Sequence, residues 1–318
     1  MKLKLIKATK KPIAIKDFYK KRNKILIKRE CGGTGDILMQ RMMFEDVVTK
    51  YPQVEINYAI PKAFHAVASN HPFVSPIDIN SYKEEDFGIC FNTTTQCRIH
   101  EMKFGEKNQK HRSDIWAESF GVKLKNHNMH LKACPIKTEK FKNHFKKNNK
   151  KVVLLATTST PGFFGASKSL THEQIFDLVS ELKNRDYHVC TVHNEFQKVF
   201  QTADVEQFVD LEFEDWAALI NSCDCVISID TSTFHLTGGL KKPLVGIFSF
   251  TDGKVYGKYF DFVLVQKHRD NGNWDCGPCF NLHMCGKCKN QYPKPCMTDL
   301  SAKQIMEGFE LAKKKWNF

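Results

Sequence analysis

The chain contains no apolar run approaching the roughly 18–20 residues that cross a bilayer as a helix, so its sequence offers no helical membrane span. Its basic first segment, "MKLKLIKATKKPIAIKDFYKKRNK", has no apolar stretch of about 7–15 residues and does not read as a signal peptide. A cytoplasmic location is the expectation. No internal repeat and no low-complexity tail interrupts the chain. Carboxylates are outnumbered in one half only. Residues 1–150 hold 30 Lys+Arg against 15 Asp+Glu, a net of +15, whereas residues 151–318 hold the remaining 18 and 20, a net of −2. A field of one sign on one half raises the local concentration of polyanions, so an anionic partner is expected for the first half.

Two familiar phosphate motifs are missing as well. The turn "ECGGTGDILMQ" follows an apolar strand, "KILIKR", and opens an amphipathic helix at 36–50, but no Gly-Lys-Ser/Thr follows it, which excludes a P-loop. Counted from Gly33, the dinucleotide fingerprint needs glycine or alanine where Leu38 stands. What remains is three glycines, Gly32, Gly33 and Gly35, closed by Asp36. Glycine admits positive φ and lets a ligand approach the backbone. Asp36 is either a carboxylate favoured by the helix start or a general base held at the mouth of a cleft.

The pattern alternates. Strands are expected at 24–29, 54–60, "FVSPIDI" and "FGICF", with helices at 36–50, 61–69 and "RSDIWAESFG", the last with Ser113 as N-cap and Gly121 as stop. A basic stretch at 137–150 follows. A second series begins with the continuous apolar run "KVVLLATT" (151–158), then a helix at 171–186 capped by Thr171, a strand "YHVCTVH", a helix "FEDWAALINSC", a strand "CVISID", a short helix "TSTFHLTGGL" and a strand "PLVGIFSF". Strands and helices alternating at this spacing imply parallel sheets covered on both faces. Two such series form two doubly wound domains facing each other. Ligands in such sheets sit beyond the carboxyl ends of the strands, where Gly32–Asp36, Thr157–Lys168, His193–Glu195 and Asp230–His235 fall.

Three segments carry chemistry. "GGTGD" offers one carboxylate. "DTSTFHLTGG" puts Thr231, Ser232 and Thr233 at a helix N-terminus, whose free N–H groups and dipole suit a diphosphate; plain hydroxyl capping is the alternative. "ATTSTPGFFGASKSLTHEQ" brings Lys168 to the same edge. With "GGTGDILM" near the start and "VISIDTSTFHLTGGLKKPLVGIFSFTD" near the end, the three together resemble glycosyltransferase family 9, the lipopolysaccharide heptosyltransferase-like enzymes, over roughly residues 24–310.

The resemblance implies an α/β chain of the GT-B fold, with two Rossmann-like doubly wound domains facing an interdomain cleft. Residues 1–23 become an extension, 24–148 the acceptor-binding domain and 149–318 the nucleotide-sugar domain, which ends in a C-terminal helix. It implies Asp36 as catalytic base and Lys168 and His235 as further catalytic groups. Gly33, Gly35, Thr157, Thr158, Lys168, Glu195, Asp230, Thr231 and Ser232 are implied to hold the donor. Ser232 stands where the family has glycine, and Phe250 where it has proline, both close to the donor. The implied reaction is inverting and metal-independent: a sugar moves from a nucleotide diphosphate to a hydroxyl of an anionic acceptor, with no cofactor for catalysis. A phosphorylated lipopolysaccharide-type glycan fits the resemblance. DNA carrying a hydroxymethylated base fits the charge asymmetry; such an enzyme would need to expose or flip the base. An inactive nucleic-acid-binding protein on the same fold is the reading from another class.

Arg29, Arg41, Arg98 and Arg112, with Lys28, Lys103, Lys110 and His111, are the first half's acceptor-contact candidates, each also readable as a solvated surface residue. Among twelve cysteines, Cys90, Cys190 and Cys225 read as buried strand thiols. Five more cluster in the Cys-rich segment 276–296. Cys276, Cys279, Cys285 and Cys288 form two Cys-x-x-Cys pairs that suit a structural zinc, with His283 a substitute ligand; free thiols and disulfides stay open.

Overall fold

The computed structural model describes residues 23–30, 32–159, 163–267, 278–279 and 295–318. The first half runs β1 (Lys24–Lys28), α1 (Thr34–Lys50), β2 (Glu55–Ile60), the one-turn α2 (His65–Ala68), β3 (Val74–Asp78), β4 (Ile89–Asn92), α3 (Gln96–Phe104) and α4 (Arg112–Ser119). Helix α5 (Pro135–Lys146) leads onward. The second half runs β5 (Val152–Ala156), α6 (Phe163–Lys168), α7 (His172–Asn184), β6 (His188–His193), α8 (Lys198–Thr202), β7 (Glu206–Val209), α9 (Phe213–Ser222), β8 (Cys225–Ile229), α10 (Ser232–Gly239), β9 (Leu244–Phe248), α11 (Gly253–Tyr256), β10 (Val263–Gln266), α12 (Pro295–Thr298) and α13 (Ala302–Trp316).

The strands form a four-stranded sheet, β3-β2-β1-β4, and a six-stranded sheet, β10-β9-β8-β5-β6-β7. Every pairing is parallel. Counted from its own first strand, the larger sheet has the Rossmann order. Each sheet is wound outward from its first strand, so each has a switch point, between β1 and β4 and between β5 and β8. Strands β5, β8 and β9 are buried at every residue, because helices cover both faces and leave no solvent side on which polar residues could alternate.

One apolar cluster joins Ile25, Met42, Phe44 and Trp116 of the first half to Leu154, Phe234, Phe248 and Tyr256 of the second. A second cluster fills the outer face of the larger sheet, where α7 and α13 pack. Both helices start with reciprocal capping boxes, Thr171 with Gln174 and Ser301 with Gln304, each satisfying two otherwise orphaned N–H groups. Gln174 also donates to the carbonyls of Met297 and Thr298. These bonds tie α12, just before the C-terminal helix, to α7.

Several expectations change. Helix α1 starts at Thr34, with Gly33 as N-cap. The helix expected over 61–69 is a 3-10 turn followed by α2. Ser113 is not the N-cap of α4: His111 is, its Nδ1 accepting from the Ser113 N–H at 3.2 Å, while the buried Ser113 hydroxyl donates to the Met39 carbonyl at 2.7 Å. Cys190 and Cys225 are buried, but Cys90 is exposed on the outer face of the edge strand β4. Helix α3, strands β7 and β10 and helix α6 were not expected.

Candidate active site

The carboxyl ends of β1, β5, β6 and β8 open on one cleft of about 540 Å³ between the sheets, the size of a small-molecule pocket. Helices α1 and α10 pack against each other there with their first turns at the cleft. Neither has a side-chain cap, so both present first-turn N–H groups. Thr231, in the N-cap position of α10, keeps its hydroxyl 3.3 Å from that of Ser228 instead of capping.

Gly32 has φ +122°, which L side chains rarely adopt, and a methyl there would collide with the Arg29 guanidinium. Gly33 faces open space. At Gly35 an added Cβ would lie 3.1 Å from the His235 ring, so this glycine sets the close approach of α1 to α10.

Asp36 does not cap its helix. Its Oδ2 accepts from Arg29 Nη2 and its Oδ1 from Arg112 Nη1, each at 2.7 Å. Burial alone would raise the carboxyl's pKa, but Arg112 and then Arg29 outweigh it and hold Asp36 below the ordinary aspartate range. Each arginine is fixed in turn. Arg29 Nη1 donates to the Thr93 carbonyl at 3.2 Å and its guanidinium lies 5.2 Å from the Trp116 ring centroid. Arg112 donates through Nε and Nη2 to both oxygens of Glu101, at 2.7 and 2.8 Å. The buried Glu101 also accepts from the Tyr256 hydroxyl at 2.6 Å, a bond from one half of the chain to the other. Two carboxylates and two guanidiniums thus form a neutral group around Asp36.

On the opposite wall Lys168 Nζ lies 2.6 Å from Asp230 Oδ2, which also accepts from the Thr251 hydroxyl at 2.9 Å. His235 Nε2 is 3.7 Å from Asp230 Oδ1. Burial would raise the Asp230 carboxyl; Lys168 first, then His235, drive it far below its usual range. His235 Nδ1 is buried and has no partner among the described residues. Phe250 is buried with the Lys168 ammonium 5.6 Å from its ring centroid, so the residue in the proline position walls the lysine side. At the nearby end of β6, Thr191 donates its hydroxyl proton to the Leu155 carbonyl and receives His193 Nε2 at 2.8 Å. That fixes the proton on Nε2 and leaves Nδ1 an acceptor, 3.5 Å from Thr158 Oγ1. Burial lowers the His193 pKa to about 4, so the ring is neutral.

Gly33, Gly35, Asp36, Arg112, Thr158, Lys168, Glu195, Asp230, Thr231, Ser232 and His235 therefore line one cleft. Thr157 is fully buried beside it, its hydroxyl without a partner among the described residues. Of the arginines proposed for acceptor contact, Arg112 reaches the cleft and Arg29 lies behind Asp36. Arg41 does not reach it: its fully buried guanidinium is consumed by the carbonyls of Val67, Ser69, Met129 and His130. Arg98 is exposed on α3 and is not part of the cleft lining. Glu101, Tyr256 and Trp216 were not anticipated. Tyr256 and Trp216 line the cleft; the Trp216 indole Nε1 is buried without a partner among the described residues. No group of three or more His, Cys, Asp or Glu side chains among the described residues could hold a metal ion. Cys276, Cys285, Cys288 and His283 lie outside the described residues; Cys279 lies within them. No helix among the described residues is long and apolar enough to cross a membrane.

Two Rossmann-like sheets opening on one shared cleft define the GT-B fold of nucleotide-sugar glycosyltransferases. Residues 95–281 match the family model of glycosyltransferase family 9 (heptosyltransferase), more than half of the chain, and the chain belongs to that family. Solved structures agree in fold. The ADP-heptose lps heptosyltransferase II of E. coli matches with a TM-score of 0.68 at 12% identity, over 93% of this chain and 100% of that one. A family 9 glycosyl transferase from Veillonella parvula gives 0.69 at 12%, over 92% and 97%. The iron-containing heptosyltransferase TibC of enterotoxigenic E. coli, solved with ADP-D-beta-D-heptose, gives 0.68 at 15%, over 92% and 78%. No curated protein sequence matches the chain.

Proposed function

We propose that this glycosyltransferase inverts the anomeric centre of a nucleotide-diphosphate sugar as it transfers the sugar to a hydroxyl of an anionic acceptor, with Asp36 as base. The observation that carries this reading is the opposition of charges across one cleft: a buried, ionised carboxylate on the α1 side, and Lys168 with the open N-terminus of α10 on the other. Transfer develops positive charge at the anomeric carbon and negative charge on the departing diphosphate. Lys168 and the α10 N–H groups supply charge to the leaving group; the diphosphate competes with Asp230 for Lys168. A single carboxylate takes the acceptor proton. The arginine pair keeps Asp36 ionised at neutral pH and also makes it a weak base. That suffices when the proton leaves late, after the new bond has made the attacking oxygen acidic. Neutralisation by Lys168 and α10 assigns no catalytic step to a metal. The two Cys-x-x-Cys pairs are assigned a structural zinc, which metal analysis of the purified protein checks.

The family and the +15 first half support a phosphorylated, lipopolysaccharide-type glycan, met at the cytoplasmic side, as acceptor. The same charge supports hydroxymethylated DNA as the second reading. ADP-heptose, the donor bound by the TibC relative, is the first donor to try. The test is nucleotide release from ADP-, GDP- and UDP-sugars with no acceptor, with phosphorylated lipopolysaccharide core, and with hydroxymethylated DNA. Release that rises with the glycan alone supports the first reading. Release that rises with DNA alone replaces it with the second.

A further inference from the structure

Helix α3 is built the wrong way round for a surface helix. Its inward residues, one turn apart, are Cys97 and the charged Glu101, both buried. Its outward residues include Ile99, 63% exposed, and Met102, 58% exposed; Phe104 ends the helix on the Glu101 side and packs on the His100 ring at 4.4 Å. Ile99 and Met102 stand three apart and so share one face. Arg98 and Lys103 flank them, and Lys107 follows in the next turn, all exposed. None of these three cations has a carboxylate partner among the described residues; Lys103 lies over the Phe104 ring at 5.2 Å. The face does not arise from a loosely held helix. Glu101 is clamped by Arg112 and Tyr256, and the Cys97 thiol donates to the Arg112 carbonyl at 3.6 Å.

We propose that the outward face of α3 is a docking surface for an anionic lipid membrane. Large apolar side chains projecting between unpaired cations are what an interfacial helix presents to the boundary between headgroups and acyl chains. The cations meet lipid phosphates, whose attraction for Lys and Arg is felt within a Debye length of the surface. The charge of the first half has the matching sign. A nucleic-acid backbone would be served by the cations but leaves the exposed Ile99 and Met102 without a partner. The inner face of the same helix holds Arg112 and, through it, Asp36. Docking here brings the acceptor side of the cleft to the membrane surface, where a lipid-borne glycan would present its hydroxyl. The purpose rests on the proposed acceptor; the test does not, because it needs no acceptor.

The full chain is sedimented with vesicles of phosphatidylethanolamine containing a minority of phosphatidylglycerol, and with vesicles of phosphatidylcholine alone. Sedimentation with the anionic vesicles, weakened by salt and absent with phosphatidylcholine, is expected. The exposed double variant Ile99→Ser with Met102→Ser should bind roughly tenfold more weakly, with an unchanged unfolding midpoint and unchanged binding of nucleoside diphosphate. Arg98→Glu with Lys103→Glu should abolish sedimentation. The proposal is overturned if the wild type stays in the supernatant, or if the serine variant sediments as the wild type does. Binding that follows duplex DNA rather than vesicles also overturns it. Nucleotide release with soluble lipopolysaccharide core is measured in parallel, so loss of the acceptor reading and loss of the docking reading give different results.

Discussion

Replacing Glu101 by glutamine should disturb catalysis although Glu101 does not line the cleft. Its carboxylate accepts two N–H groups of Arg112 and the Tyr256 hydroxyl, all within 2.8 Å, and it balances one of the two guanidinium charges around Asp36. Glutamine keeps the shape but loses the charge and leaves one acceptor oxygen in place of two, turning an amide donor toward donors. Breaking a buried ion pair from one side costs about 3–5 kcal/mol. The lower end, about 3 kcal/mol, is expected, because Arg112 is 22% exposed and retains Asp36. With one negative charge gone, Arg112 acts on Asp36 unopposed. The Asp36 pKa should fall further, because a negative charge that opposed the guanidinium is gone. A weaker base lowers kcat by up to about tenfold, with the donor KM little changed. Urea unfolding and nucleotide release measure the two effects. Adding Arg112→Met should restore much of the stability, because both charges leave together. A Glu101→Gln protein as stable and as active as the wild type, or a double variant whose loss is the sum of the single ones, would show that Glu101 does not hold Arg112 against Asp36.

Three further outcomes follow from the same geometry. Gly32→Ala forces a methyl at φ +122° into the Arg29 guanidinium; turnover should fall more than the loss of stability accounts for, as seen by comparing kcat with the fraction folded in urea. Lys168→Ala strips the buried Asp230 of its main cation. Stability should fall by about 3 kcal/mol and donor affinity, by calorimetry, should fall with it, whereas Lys168→Ala with Asp230→Asn should recover stability without affinity. Stability should also decline below pH 6.5. Burial lowers the pKa of His71 and of His111 to about 3, so between 6.5 and that value the unfolded chain binds protons that the folded one refuses. Each imidazole then costs about 2 kcal/mol at pH 5. His71→Gln should flatten the profile of unfolding free energy against pH.

Much of this organisation is legible in the sequence because it is local. Continuous apolar strands, capping residues such as Thr171, the glycine turn and the Asp230–His235 segment each announce themselves within a dozen residues. What the sequence hides is set by distance. Arg112 reaches Asp36 from 76 positions away, and no spacing marks it out from Arg41, which is spent on backbone carbonyls. Helix α3 escaped notice because its periodicity is inverted, with Glu101 inside and Ile99 and Met102 outside. Ser113 looked like a cap, yet the histidine two residues earlier performs that role once burial has taken the serine hydroxyl for Met39.

In the proposed mechanism Asp36 takes the acceptor's proton. The most direct test is the turnover of Asp36→Asn with the best donor and acceptor, beside nucleoside diphosphate binding by the same protein. Loss of a general base predicts a kcat lower by about 10²–10⁴-fold with nucleotide affinity retained, since Lys168 and α10 are untouched. A variant that keeps more than about a tenth of wild-type turnover while folding and binding nucleotide normally would remove Asp36 from the role of base.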